Sequence, residues 1–197
     1  MIFVDWFRIK HTIRMYLTLS PMKRAEYLKK RDIFHHVGDN CMVMFRKIPL
    51  YPKLISMGDN VWIASQVSFI PHDVIHYMLN YCISGEQLKE NIGCIDIKDN
   101  VFIGSNSTIL PDVSIGPNTI VGAGTLINKT IGTGVYAGVP AKYVCSLDEL
   151  IEKRKSMEQI SIVYDKKEGG LSKVTVDACW ERLYRKQSNS EKKGDER

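Results

Sequence analysis

Between residues 97 and 132 a large apolar residue returns at every sixth position. Written in sixes the stretch reads IKDNVF, IGSNST, ILPDVS, IGPNTI, VGAGTL and INKTIG, and residues 57–74 obey the same rule as MGDNVW, IASQVS and FIPHDV. The first column (Met57, Ile63, Phe69, Ile97, Ile103, Ile109, Ile115, Val121, Ile127) is large and apolar throughout. The fifth (Val61, Val67, Val101, Ser107, Val113, Thr119, Thr125, Ile131) is β-branched or small, with Asp73 its exception. The fourth (Asn60, Gln66, His72, Asn100, Asn106, Asp112, Asn118, Gly124, Thr130) is rich in Asn, Asp and Gly, the residues that tolerate positive φ. A period of six fits neither an α-helix nor an ordinary strand. It predicts short strands with a tight corner in every repeat, wound into a β-solenoid, three hexads or 18 residues closing one triangular coil.

A weaker hexad, VGDNCM at 37–42, starts an irregular first coil that runs through 43–56. Residues 75–96 then break the register. A loop of that length inside a compact domain is usually functional or disordered. Tyr77, Met78, Leu79 and Tyr81 make this one too apolar for a solvated linker, so it should pack on a neighbouring subunit or an acceptor site. Upstream, one helix is predicted at roughly 3–17 and a second from Ser20 as N-cap, with Pro21 at its first position, to about Arg31. Phe3, Phe7, Ile13 and Leu17 lie near one face of the first helix. A cap over the open solenoid end is the predicted role, and contact of this basic amphipathic helix with a membrane surface is the alternative.

After Val144 the pattern turns helical. Ser146-Leu-Asp-Glu149 is a capping box opening a helix to about Gln159. A Gly169-Gly170 linker, a second amphipathic helix at about 172–186 and a disordered tail follow. The predicted organisation is a helical cap at 1–36, the solenoid at 37–145 with its insertion at 75–96, and C-terminal helices with a tail at 146–197.

Composition changes this picture little. Of 197 residues 44% are hydrophobic and 25% charged, as in ordinary soluble domains, and no apolar run is long enough to span a bilayer. Five scattered cysteines without a CxxC pair fit neither a disulfide framework nor a zinc site, and predict a reducing, cytoplasmic setting. The net charge of +5 is no nucleic-acid footprint; an anionic small molecule is the better-matched partner.

One hexad breaks the pattern. FIPHDV puts His72 in the corner column and Asp73 where other coils turn a small residue inward, and local violations tend to mark function. The plain alternative is that Pro71-His72-Asp73 merely exits the coil. His72-Asp-Val-Ile-His76 has zinc-protease spacing, but that motif needs a helix, and Pro71 and strand register precede it here. Only these two histidines are near one another, so no metal is expected. An imidazole suits a general base at neutral pH, which makes His72 the candidate, and Asp73 and His76 are candidate acceptor contacts.

The hexads, the loop after His72 and the exit Tyr136-Ala-Gly-Val-Pro-Ala-Lys142 together resemble the left-handed β-helix hexapeptide acyltransferases, over roughly residues 37–145. The branch they resemble is that of the galactoside, maltose and xenobiotic O-acetyltransferases. The resemblance implies a homotrimer with acetyl-coenzyme A in a cleft between adjacent solenoids. It implies that His72 is the catalytic histidine, that Ser105 and Ala123 meet the pantetheine, and that Asn128, Lys129 and Lys142 lie near the coenzyme phosphates. Asn128 stands where the family has Thr, and the acceptor-binding residues upstream of the first full coil have no clear counterpart. An O-acetyltransferase acting on a sugar hydroxyl, such as a surface-polysaccharide precursor, is the function implied. An N-acetyltransferase of nucleotide-linked amino sugars and a non-catalytic scaffold are its competitors.

Overall fold

A computed structural model describes residues 5–165 and 170–194, with side chains through 188. Phe3 and Gly169 lie outside the described residues. The chain divides into two units, 1–151 and 152–197, with the boundary inside a helix.

In the first unit, α1 (Trp6–Leu17) and α2 (Pro21–Lys30) precede three sheets of short parallel strands. The first sheet holds β1 (His36–Val37), β3 (Ile55–Met57), β6 (Ile95–Ile97) and β9 (Val113–Ile115). The second holds β2 (Met42–Val43), β4 (Val61–Ile63), β7 (Val101–Ile103), β10 (Thr119–Val121) and β12 (Gly134–Ala137), with β13 (Lys142–Cys145) antiparallel at its edge. The third holds β5 (Ser68–Phe69), β8 (Thr108–Ile109) and β11 (Leu126–Ile127). The chain visits the sheets in rotation, so each full coil gives one strand to each. Ile97 faces Ile115, Ile103 faces Val121 and Ile109 faces Ile127, all at the 18-residue offset of three hexads. Met57 faces Ile97 at an offset of 40, and the surplus of 22 is the insertion. The first coil is irregular, as its sequence implies: Val37 faces Met57 at an offset of 20, and a short 3-10 turn at Pro52–Leu54 precedes β3.

The columns explain the core. All nine first-column residues are buried, and in the fifth column only Asp73 is not. Each large apolar side chain so enclosed contributes ~1.5–3 kcal/mol. Where the fifth column is polar its hydroxyls are satisfied. Ser107 Oγ donates to Gly104 O at 2.8 Å, Thr119 Oγ1 to Gly132 O at 2.8 Å and Thr125 Oγ1 to Gly122 O at 2.8 Å. The fourth column supplies the corners: Asn60, Gln66, Asn100, Asn106, Asp112 and Asn118 have φ between 53° and 60°, and Gly124 has 69°. Along one edge their amides form a ladder, Asn40 to Asn60 at 2.9 Å, Asn60 to Asn100 at 2.9 Å and Asn100 to Asn118 at 3.0 Å. His72 and Thr130 do not take the left-handed corner conformation.

The cap is built by α2, which lies against β1 and β2. Its Arg24 is fully buried and spends its donors on carbonyls, Nε on Val43 O at 2.9 Å and Nη1 on Thr18 O at 2.7 Å and Leu19 O at 3.0 Å. Such charge-assisted bonds are the strong ones. For α1 the expected packing face is corrected. It buries His11 and Met15, while Phe7, Ile13 and Leu17 stay exposed. A polar anchor selects the face: His11 Nδ1 lies 2.6 Å from Tyr27 Oη on α2.

The capping box opens α4 (Leu147–Lys155), with Ser146 N donating to Glu149 Oε2 at 2.7 Å and Glu149 N to Ser146 Oγ at 3.0 Å; the helix stops at Lys155, short of the expected Gln159. The second unit also holds an antiparallel pair, β14 (Tyr164–Asp165) and β15 (Gly170–Leu171), and α5 (Lys173–Gly194). Gly170 is thus in a strand, not a linker. Residues 187–194, expected to be disordered, continue α5, since Lys, Gln and Glu sustain a helix and no Pro or Gly intervenes before Gly194; residues 195–197 lie outside the described ones. Among the described residues no helix is long and apolar enough to cross a membrane.

Stacked coils leave no room for side chains at certain corners. A Cβ on Gly104 would lie 2.5 Å from Ala123 N and 2.7 Å from Gly122 C in the next coil, backbone atoms that cannot swing aside. Gly104→Ala should therefore destabilise the fold by ~1–3 kcal/mol in denaturant melts. Gly132→Ala, whose Cβ would meet nothing within 4 Å, should change stability by less than ~0.5 kcal/mol.

Candidate active site

The insertion leaves and rejoins the solenoid at one point. Gly93 N donates to Pro71 O at 2.8 Å and Asp73 N to Asn91 O at 2.9 Å, and His72 and Ile92 form an antiparallel bridge. The two ends of the excursion thus pinch into a neck, with His72 in it. Beyond the neck the expected loop is partly helical. α3 (Ile75–Cys82) forms where the sequence IHYMLNYC carries neither Gly nor Pro. Asp73 starts this turn: its Oδ1 accepts from Ile75 N at 3.0 Å and its Oδ2 from Asn91 Nδ2 at 3.1 Å. Asn80 ties the returning strand, its Nδ2 donating to Leu88 O and its Oδ1 accepting from Leu88 N, both at 2.8 Å. None of α3 is buried, and Tyr77, Met78 and Tyr81 stand exposed, Tyr81 at 95%.

His72 is half-buried, and its environment contains two residues that sequence reasoning did not single out. Its Nδ1 is buried without a hydrogen bond, 3.4 Å from Glu90 Oε1, and its ring meets the Tyr51 ring edge-on at 5.2 Å. Tyr51 Oη donates to Glu90 Oε2 at 3.1 Å, and this bond with the nearby carboxylate pushes the phenol above its ordinary pKa. One Glu90 oxygen is therefore fixed by Tyr51 while the other faces the imidazole. Tyr51 reaches this position through a left-handed backbone, φ 51°, a conformation disfavoured for a bulky residue and often found at functional sites. Nothing in the sequence marks Glu90. A signal for Tyr51 exists in retrospect, since Tyr51-Pro52 sits where the irregular first coil departs from the hexad rule.

His72 also lines a groove of about 630 Å³, whose walls are residues 44–50 of the first coil and 65–70 of the second. Among the described residues His72 Nε2 makes no hydrogen bond, and Nδ1 is the nitrogen that faces Glu90.

The other singled-out residues fall into two sets. Asp73 and His76 lie in the neck and on α3. Both carboxylate oxygens of Asp73 serve the turn, and the bonds from Ile75 N and Asn91 hold its carboxyl below the usual range. His76 packs its ring 4.1 Å from Tyr77 and keeps a buried Nδ1 without a partner. Among the described residues no group of three or more metal-ligating side chains is assembled.

Ser105, Ala123, Asn128, Lys129 and Lys142 frame the third sheet. Ser105 and Ala123 occupy successive levels of the corner before it. Phe69, Ile109 and Ile127 are in register, so Asn128 and Lys129 sit at the corner of Pro71 and His72, two coils further on, ~10 Å along the stack. The exit segment folds over the same sheet, with Leu126 N donating to Gly138 O at 3.1 Å and Ala141 N to Leu126 O at 2.8 Å, and Lys142 emerges exposed from it. Ser105 and Ala123 thus lie at the corner before the third sheet, Asn128 and Lys129 at the corner after it and Lys142 in β13 at the edge of the second sheet, and none of the five is in His72's own coil.

Residues 95–129 match the family described as bacterial transferase hexapeptide (six repeats). The chain is similar to the galactoside O-acetyltransferase of Escherichia coli strain K12, 34% identical over 117 residues, 58% of this chain and 55% of that protein. It spans about half the length of the curated relatives it matches first. Among solved structures it is similar to a galactoside acetyltransferase in complex with coenzyme A, 25% identical, covering 84% of this chain and 91% of that one, TM-score 0.50. It shares its fold with a Vibrio cholerae hexapeptide-repeat acetyltransferase complexed with acetyl-coenzyme A, 22% identical, covering 71% and 85%, TM-score 0.54. The hexads at 97–129 lie in the stretch that the family matches, and the chain shares the fold of these solved acetyltransferases.

The neck depends on the ionised Asp73. Its carboxyl is held below the ordinary range in the folded chain, so its contribution is complete above pH ~4 and is lost as pH falls through the lowered value. Amides of residues 75–92 should lose hydrogen-exchange protection, relative to intrinsic rates, on acidification and in Asp73→Ala at neutral pH. Those of β7, β8 and β10 should stay protected in Asp73→Ala.

Proposed function

We propose that this chain transfers the acetyl group of acetyl-coenzyme A to a hydroxyl of a sugar or related small acceptor, with His72 as general base. In this reading the solenoid is a left-handed β-helix working as a homotrimer, and the coenzyme lies along the third sheet in the cleft between neighbouring solenoids. The observation that carries the reading is the His72 neck: an imidazole at the solenoid edge that faces a carboxylate on Nδ1 and lines a groove. That a similar galactoside acetyltransferase holds coenzyme A supports the choice of donor.

The chemistry follows from the two nitrogens. Glu90, oriented by Tyr51, favours the tautomer with its proton on Nδ1, which leaves the Nε2 lone pair for the acceptor hydroxyl. As that oxygen attacks the thioester carbonyl, Nε2 takes its proton. The tetrahedral intermediate collapses to an ester and a thiolate, and the imidazolium returns the proton to the sulfur. Such assistance is typically worth ~10²–10⁴ in rate. Ser105 and the small Ala123 leave the corner open to the pantetheine chain, and Lys129 and Lys142 offer charge to the phosphates. Asp73 acts in this scheme by holding the neck closed rather than by touching the acceptor.

His72→Ala should lower the rate of thiol release with acceptor by ~10²-fold or more while the shift in Tm produced by acetyl-coenzyme A is retained. Glu90→Gln should lower kcat by a smaller factor. Full activity in His72→Ala would remove the assignment, and no Tm shift in the unaltered chain would favour a scaffold. Thiol release with amino sugars alone, across a panel of hydroxyl and amine acceptors, would favour N-acetylation.

A further inference from the structure

The groove that ends at His72 is electrically unusual. Arg8 of α1, Arg46 and Lys47 all line it, and no Asp or Glu does. Elsewhere in this unit lysines near acids are paired, Lys29 with Asp39, Lys53 with Asp32 at 2.6 Å and Lys98 with Asp96. Arg8, Arg46 and Lys47 take part in no ion pair among the described residues. Arg46 is nonetheless held in place: its Nη1 donates to Tyr16 O at 2.8 Å, and its guanidinium stands 5.9 Å from the centre of the Tyr16 ring. Its charge is felt nearby, since burial first and Arg46 second push the Arg24 guanidinium below its ordinary pKa. A cation fixed by neutral partners keeps its remaining donors and its full field for a ligand. Ser65, Gln66 and Ser68 on the facing wall add polar groups of the kind that orient a sugar.

We propose that this groove binds the acceptor and that the acceptor is an anionic sugar, carrying a phosphate or a carboxylate besides the hydroxyl to be acetylated. The inference rests on the acetyl-transfer reading above. Position argues for acceptor over donor. The groove is built from the cap and the coils that precede the insertion, whereas the candidate coenzyme residues, Ser105 through Lys142, all belong to coils that follow it. Along the stack the groove lies at and before the level of His72 and the coenzyme set lies beyond it, so a hydroxyl delivered from the groove meets a thioester delivered from the later coils. A volume of about 630 Å³ suits a monosaccharide with one charged substituent.

The test compares three probes of matched ring structure, glucose, glucuronate and glucose 6-phosphate, by calorimetric binding to the full chain at low ionic strength without acetyl-coenzyme A. One or both charged sugars should bind about tenfold tighter than glucose, the preferred one distinguishing carboxylate from phosphate, and the margin should shrink with added salt. Lys47→Gln and Arg46→Gln should erase the margin, Arg46→Lys should restore part of it, and the Kd for acetyl-coenzyme A should not change. Lys47 is exposed, so Lys47→Gln serves if Arg46→Gln fails to fold. Equal binding of charged and neutral sugars would overturn the proposal. So would weaker acetyl-coenzyme A binding in the variants with sugar preference intact, since the cations would then serve the coenzyme. Thiol release from acetyl-coenzyme A is scored separately: charge-dependent sugar binding without it would uphold the groove and defeat the transfer reading.

Discussion

Parallel stacking imposes one demand on this chain: each strand must stay in register with the strand beneath it, whatever the length of the corners between. Backbone N–H groups of one level donate to carbonyls of the next, as from Gly104 N to Val121 O and from Ile70 N to Ile109 O, both within 3 Å. An added residue within a strand would shift every later partner and turn buried columns outward. Extra chain can therefore enter only at a corner, and must leave and return at one place. The insertion at 75–96 does so, and its neck between Pro71 and Gly93 preserves the register of Phe69 with Ile109 beyond it.

That constraint also makes the site. The corner residue at the neck cannot take the left-handed conformation of its equivalents, because its backbone is bridged to the returning strand. His72 is freed from turn duty and held at the edge. The returning strand carries Glu90 to its Nδ1 side, and the irregular first coil carries Tyr51 to Glu90. Three segments far apart in sequence thus meet for one geometric reason. Polarity along the stack follows as well, with a cation-lined groove among the earlier coils and the small residues and lysines of the third sheet among the later ones.

The parts of this arrangement that repeat were legible in the residues. The inward columns, the corners at Asn60 through Gly124, the α2 N-cap at Ser20 and the capping box at Ser146 all read directly, because local chemistry dictates each. His72 was legible as an exception to a rule, because a strict period exposes any residue that departs from it. Glu90 was not, since it breaks no pattern that sequence alone defines; Tyr51 marks only the departure of the first coil from the hexad rule, and its meeting with Glu90 depends on where the insertion returns. The packing face of α1 departs from its apolar pattern for a related reason. Counting apolar residues favoured Phe7, Ile13 and Leu17, while the fold obeys the His11–Tyr27 hydrogen bond and the buried Arg24, whose partners are carbonyls that no side-chain pattern reveals. The tail beyond 186 was read from its composition as disordered, although its Lys, Gln and Glu are compatible with helix.

The central claim is that the neck aims the open nitrogen of His72 at a thioester. A crystal structure of the protein with a non-hydrolysable acetyl-coenzyme A analogue tests it most directly. The account places the acyl carbon beside His72 with room for one hydroxyl oxygen between it and Nε2, that oxygen ~3 Å from each. An acyl group bound against another surface, with His72 Nε2 turned into its own chain, would contradict it.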